Sequence, residues 1–430
     1  MAAVTPAAMT SLLKDYFSPS IITKTIASRT SDIFKDVKKK MDVDGKTYTS
    51  PYIHGDIPSG SPDFATAQTA GNAAAPAAVA FQVPPRAIVS TFTVSDTAIR
   101  QSRGDRGGWE QLLKVASESA FRTAGFKLSV AMVGTGWGNV GSVANSAFNT
   151  SVCTLNTKSD INKLQQWDQL QLSSAVSTAA ARDAGAVGWV KSIDYAAGTF
   201  VVASSYGGAA ANLSTVWPSV AQNDVIFLAG WRDFTQTGGA FSTQVAPHGL
   251  KALIPDVNSR PSAGEAFDGV DRSANPVFLA GTAIDGTKVA LQDALFDGLM
   301  NTIQYGGATD PRIALSPKRY NDLVKANETN HRFNDGAAAT VGFREVTITL
   351  KGVSAKLLAD LKLADSECYI YDKDALVLVS WGPSPSIVEE DGLMIARQAT
   401  ALGYEGRILS LCNYTLDNPA ACCNVLLPTS

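Results

Sequence analysis

The chain has 430 residues, 45% hydrophobic and 17% charged, which excludes disorder over the whole length and leaves room for two or three domains. With 36 Lys+Arg against 39 Asp+Glu the net charge is -3, which excludes a protein that wraps nucleic acid in basic arms, since phosphate neutralisation needs surplus cations. No run approaches the roughly 18 apolar residues of a membrane span, the start MAAVTPAAMTSLLKDYF has no secretory leader pattern, and the five cysteines contain no CxxC. A soluble protein of a reducing cytosol is therefore expected, without membrane partner, disulfide framework or zinc site. Cys153, Cys368, Cys412, Cys422 and Cys423 are expected as small core or surface residues.

Residues 1–40 read as an N-terminal arm ending in the basic cluster Lys35, Lys38, Lys39 and Lys40, which is expected to face solvent. Residues 41–95 read as an extended two-stranded loop: VDGKTYTSPYIHG, a soft Ala/Gly/Pro/Ser centre, then PPRAIVSTFTV. Asp44-Gly45 is a hairpin-turn signal, and Ile88, Ser90, Phe92 and Val94 alternate with their neighbours as a strand does. The stretch 59–80 has almost no large apolar residue, so it is expected to project and to take its order from a partner.

Residues 96–160 are expected to form a peripheral domain around the strongest helix of the chain, 109–133. Its stripe is Trp109, Leu112, Leu113, Ala116, Ala120, Ala124, Leu128 and Ala131; Glu110 with Lys114 and Glu118 with Arg122 stand i,i+4 on the other face, and Gly134 ends it. Residues 161–236 read as an inserted β-rich domain, a small barrel or sandwich built from LQL at Leu170, GWVKSID at Gly188, GTFVVAS at Gly198 and DVIFLAG at Asp224. Its loop 206–212 is expected to be exposed.

Residues 237–430 complete the peripheral domain and supply a further α+β domain. A helix over 288–305 closes on Gly306-Gly307; a strand at 313–315 runs into Ser316-Pro317, an N-cap with Pro at the first helical position, and a further helix. Residues 341–350 alternate as a strand, 354–361 read as a helix, and CYIY, DKD and ALVLVSW read as a hairpin. Strands at 404–416 and 422–427 finish an α+β fold with antiparallel strands, distinct from a doubly wound sheet.

No catalytic chemistry emerges. His54, His248 and His331 lie far apart in polar stretches, without HxxxH or HExxH spacing, and read as surface or loop residues. Residues 136–141 spell GxGxxG, but after a helix and before a polar loop, whereas pyrophosphate binding needs a strand before it and a helix after it. GTAIDGTK at Gly281 misses the P-loop because Lys288 does not directly follow the second Gly, and Glu389-Glu390-Asp391 reads as a solvated turn. No GxSxG is present. No catalytic, cofactor-binding or metal residue is assigned, and an enzyme is not expected. Segments that cannot bury themselves within one chain are commonly buried between chains, so the expected partner is the chain itself.

Arm, extended loop, spine helix at Trp109 and later α+β body together resemble the major capsid proteins of tailed bacteriophages, the Hong Kong 97 type of shell fold. GLKALIP at Gly249, AFDGVDRSANP at Ala266 and ALFDGLMNTIQYGGATDPRIALSPKRYNDL at Ala294 resemble segments of those sequences. The β-rich segment is similar to the insertion domains that some members carry. The resemblance implies hexamers and pentamers of an icosahedral shell in the virion, assembled in the host cytoplasm around scaffolding and filled with double-stranded DNA held by non-specific contact. Portal and decoration proteins are further implied partners. Some relatives crosslink through Lys and Asn; Lys46 lies in the loop, but no partner for it can be named. An encapsulin-like cargo compartment is the alternative on the same fold. An enzyme with an unrecognised site is a weaker one. A β-rich carbohydrate-binding or tail protein would rest on 167–231 alone and leave the spine helix unexplained.

Overall fold

The computed structural model describes residues 31–41, 43–57, 60–73, 75–96, 106–177, 180–234, 244–328, 347–388, 395–398 and 403–428, with 106–114, 327–328 and Thr347 described by backbone alone. A short helix at Asp32–Asp36 leads into β1 (Lys38–Lys40); β2 (Tyr48–Gly55) and β3 (Ala77–Val83) flank a helix at Phe64–Ala73, and β4 (Arg86–Ser95) precedes the long helix Arg106–Val133. There follow β5 (Asn139–Ser142), β6 (Val152–Thr154), β7 (Gln169–Ser173), β8 (Gly188–Asp194), β9 (Thr199–Ala203) and β10 (Val225–Leu228). The remainder carries β11 (Ala266–Phe267), β12 (Val270–Asp271), β13 (Thr282–Asp285), the helix Leu291–Gly306, β14 (Pro311–Leu315) and the helix Pro317–Glu328. It ends with β15 (Thr347–Leu350), β16 (Val353–Ala359), β17 (Glu367–Asp372), β18 (Leu376–Ser380), β19 (Ser386–Ile387), β20 (Ala396–Arg397), β21 (Gly403–Leu416) and β22 (Cys422–Leu426).

The long helix organises the molecule. Its 28 residues make a rod of about 42 Å. From Phe126 to Val133 every side chain is buried, the state of a helix enclosed on all sides. Leu128, Ala131, Met132 and Val133 enter the largest core cluster, Phe126 and Val130 enter the core of the inserted unit, and Ala120 and Ala124 pack under β4 with Phe92 and Val94. One helix therefore ties three cores together. Arg122 pairs with Glu118 at 3.1 Å as its spacing predicts, whereas Trp109, Leu112, Leu113 and the pair Glu110 and Lys114 lie outside the residues whose side chains are described.

Two mixed sheets form the body. In one, the 14-residue β21 pairs with β4, β18, β19 and β20, and β1 adds to β18; in the other the order is β13-β22-β17-β14-β16-β15. Three pairs are parallel, β1 with β18, β13 with β22 and β14 with β16, so the expectation of antiparallel strands holds only in part. The expected hairpin across Lys373 does not form. β17 lies in the second sheet and β18 in the first, and the turn Asp372 to Ala375 carries the chain between them. Both strands are apolar runs buried nearly throughout, the pattern of strands covered on both faces, and lack the alternation of a hairpin with one wet face.

The helix expected over 354–361 is instead strand β16. Ala, Lys and Leu favour a helix there, but pairing with β14 on one side and β15 on the other buries Ala355, Leu357 and Leu358, and tertiary contact overrides propensity. Local signals fare better elsewhere. Leu291–Gly306 ends as predicted: Gly307 has φ 64, its N–H reaches the Ile303 carbonyl at 3.1 Å, and that of Ala308 reaches Thr302 at 3.3 Å. Ser316 accepts from the Arg319 N–H at 3.4 Å and caps the helix Pro317–Glu328.

The inserted unit is one six-stranded sheet in the order β5-β10-β7-β8-β9-β6. Its two edges meet: Val143 bridges Leu155, the Ala144 N–H donates to the Thr154 carbonyl at 2.8 Å, and that of Asn156 donates to Ser142 at 3.0 Å. Closure of this kind removes both edges and makes a small barrel. The sheet reaches outside the expected span 161–236, because closing the ring requires β5 and β6, whose short sequences NVGS and VCT carry little strand signal. Lys127 on the long helix bonds Asp168 of the barrel at 2.6 Å, with both side chains mostly buried.

Candidate assembly surfaces

The ribbon of β2 and β3 runs in register from Tyr48 opposite Val83 to Gly55 opposite Ala77. Its base is held by the body: Phe81 and Val83 are buried, the Gln82 N–H donates to the Asp268 carbonyl at 2.8 Å, and the Tyr52 hydroxyl lies 3.4 Å from Asn418 Oδ1. Among the described residues nothing holds its outer end. The tip helix Phe64–Ala73 has no buried residue, Phe64 is 79% exposed, and Ile53 is 61% exposed. Asp63 caps that helix, accepting from the Thr66 N–H at 2.9 Å, but ten residues without tertiary packing are marginal as a helix in water.

Two expectations about this region need correction. The partner of β2 is Ala77–Val83; the strand at Ile88 to Val94 belongs to β4 and pairs with β21 over ten residues. Ala-rich AAVAFQV carries a weak strand signal, so the second strand was displaced along the chain. Asp44-Gly45 makes a turn, with Gly45 at φ 104, but β1 and β2 do not pair, because β1 joins β18 instead.

The end of the arm is anchored to the same body. Ile33 is fully buried, Ser31 donates to Asp360, and Asp36 takes the Arg312 guanidinium at 2.8 Å. β1 is exposed along its length, as the basic cluster predicts. Lys38 meets Asp374 at 3.3 Å, and Lys40 lies 3.1 Å from the Tyr48 hydroxyl, a hydrogen bond that raises its pKa. Residues 1–30 lie outside the described residues.

The sequence motifs that hinted at chemistry turn out to be packing devices. Gly136 and Gly138 adopt φ 81 and 75 between the long helix and β5, and a Cβ there would collide with Gln244 and Trp231 respectively. GTAIDGTK forms β13 and a turn in which Asp285 accepts from the Thr287 N–H at 3.1 Å. His54 is half-buried on β2, whereas His331 and Glu389-Glu390-Asp391 lie outside the described residues. Among the described residues no cluster of His, Cys, Asp and Glu could hold a metal, and no helix is long and apolar enough to cross a membrane.

His248 is not the surface residue expected. It is fully buried, with Nδ1 3.3 Å from Asp268 Oδ2, its ring 4.8 Å from Phe267 and its backbone N–H donating to Asn413 Oδ1 at 2.8 Å. Gly249 is the reason: without a side chain, the loop presses directly onto the carbonyls at the end of the long helix.

All five cysteines are free and buried. Burial pushes Cys153, Cys412 and Cys423 up to about 12 and raises Cys368 and Cys422 as well. The folded chain thus keeps protons that an unfolded chain releases above about pH 9, and stability present below that pH falls as pH rises towards the folded values. Each thiol contributes a loss of about 1.4 kcal/mol per pH unit in that window. The expected result is silence towards an aromatic disulfide reagent at pH 8, and alkaline unfolding that releases all five thiols together. Fast partial labelling of the native protein at pH 8 would contradict it.

No family model matches the chain, and no curated protein matches it. Among solved structures it is similar to the cyanophage A-1(L) capsid asymmetric unit, at 12% identity over 97% of this chain and 96% of that one, with a TM-score of 0.47. It is also similar to the capsid of the native GTA particle, at 10% identity over all of both chains and a TM-score of 0.45. A third likeness, to a chain of Mycobacterium phage Bobi, has 9% identity over all of both chains and a TM-score of 0.42.

Proposed function

We propose that the chain is the major capsid protein of a tailed phage, a subunit that closes into an icosahedral shell of hexamers and pentamers around double-stranded DNA. The observation that carries this reading is the ribbon: a two-stranded element about 26 Å long, embedded at its base and ending in a helix with no buried residue. Such an element needs a surface on a neighbouring copy, and repetition of that contact around a ring builds capsomers. A net charge of -3 suits a shell filled by an external motor, with only non-specific contact to the packaged DNA. Scaffolding, portal and decoration proteins are the proposed further partners, the virion the proposed location, and host cytoplasm the place of assembly. No catalytic role is proposed.

The test is negative-stain electron microscopy with sedimentation on the protein expressed alone and with its neighbouring genes. Closed, uniform shells are expected. A stable monomer or small oligomer in both cases would remove the proposal, and closed shells loaded with an enzyme in place of DNA would transfer the chain to the encapsulin-like compartments.

A further inference from the structure

We propose that the outer surface of the barrel carries a glycan-binding platform formed by Trp167, Trp189 and Tyr206. The three rings come from three different places: the turn before β7, strand β8 and the turn after β9. Their centroids lie 5.1 Å apart for Trp167 and Tyr206 and 5.6 Å apart for Trp189 and Tyr206, tilted by 51° and 70°. Tyr206 is 55% exposed and neither tryptophan is buried, so the cluster lies outside the barrel core, which Trp217 fills. An angled pair of indoles around a phenol offers faces to the C–H side of a pyranose and a polar edge to its hydroxyls.

The backbone gives a second, independent reason. Trp167 occupies the third position of a turn closed by the Asp168 N–H on the Gln165 carbonyl at 3.1 Å, and it adopts φ 68. That left-handed position favours glycine, and a bulky residue there is strained. A fold under no other demand would put glycine at this place; here the strain holds an indole against Tyr206, and strained residues concentrate at binding sites.

The surroundings decide the class of ligand. Gln165 and Gln166 precede Trp167 in its turn, and Gln169 is exposed and directly opposite Trp189 across the strands. The neighbouring carboxylate, Asp168, is turned inward onto Lys127. Lys191 stands one residue along β8 from Val190, whose carbonyl accepts the Trp167 N–H at 2.6 Å. A single-stranded nucleic acid would need a track of cations beside its stacked bases, and a protein hot spot would need an apolar surround that excludes water. An amide-rimmed, almost uncharged aromatic surface suits a neutral polyol. The loop 206–212 adds only Gly, Ala and Asn, and Gly207 has open space around it.

The test is isothermal titration of the full-length chain with chitohexaose, cellohexaose and laminarihexaose, and with an oligothymidylate as the nucleic-acid probe. At least one oligosaccharide should saturate, and Tyr206→Ala and Trp189→Ala should each weaken it about tenfold, as loss of a stacked ring predicts. Trp167→Gly is the sharper variant, since it relieves the backbone while removing the ring. It should keep or raise the melting temperature and still lose binding. The proposal falls if none of the three sugars saturates at about 10 mM, well above a millimolar dissociation constant. It also falls if the variants bind like wild type, if oligothymidylate alone titrates on these rings, or if Tyr206→Ala changes only self-association. Shell formation is read separately, so failure here leaves the capsid reading untouched.

Discussion

Replacing residues 56–76 by a two-residue Asn-Gly turn between Gly55 and Ala77 should leave a folded subunit and abolish closed shells. Gly55 and Ala77 already pair, so a tight turn can join them without disturbing the ribbon below. None of the described residues removed is buried, so the subunit loses no core. What it loses is the tip helix together with Ile57 and Phe64, two side chains that would each contribute about 2 kcal/mol if buried on a neighbour. That term recurs at every copy, so assembly is far more sensitive than folding. The cut must stop before Ala77, because Ala78, Val79 and Ala80 are the partners of Ile53, Tyr52 and Pro51. Circular dichroism should report a native subunit while sedimentation and microscopy report no shells. Normal shells from this variant would sink the inter-subunit role of the ribbon.

Gly249→Ala should be among the most damaging single methyl additions in the central core. The added Cβ would lie 2.3 Å from the Ala131 carbonyl oxygen, 2.4 Å from that of Gly134 and 2.6 Å from the Gly134 nitrogen. All three are backbone atoms at the end of the long helix, so no rotamer change relieves the clash. The backbone angle itself, φ -115, is ordinary, which makes the effect purely steric. A cost of about 3 kcal/mol or more is expected, at or above the usual range for overpacking. Gly125→Ala supplies the contrast. It lies in the same helix with nothing within 4 Å of its added Cβ, and should stabilise by roughly 0.5–1 kcal/mol through helix propensity. Urea melts of the unassembled subunit measure both; equal midpoints for Gly249→Ala and wild type would show that the loop can move away from the helix.

His248 and the ribbon show where sequence reasoning stopped. Nothing in PHGLK announces a buried histidine, since its burial depends on a glycine that lets a loop touch a helix more than a hundred residues earlier. The tip helix was equally hidden, because FATAQTAGNA has neither a stripe nor a charge pattern, only the Asp63 cap. The platform on the barrel was half visible: its tryptophans mark the segment, but their meeting with Tyr206 depends on how the strands close.

The features legible in the chain are those that local interactions decide. The long helix, the Gly306-Gly307 stop, the Ser316-Pro317 start and the four main barrel strands all follow from periodicity, caps and turns within some twenty residues. The stretch with little to bury was equally legible. Strand pairing, by contrast, depends on long-range packing. β17 and β18 part into different sheets, β16 is drawn out of a helical sequence by two neighbours, β3 takes the place expected of β4, and two very short strands close the barrel. The reason is physical: an apolar run records that it must be covered, but its partners stand up to hundreds of residues away, and their identity is set by shared burial among all the runs at once.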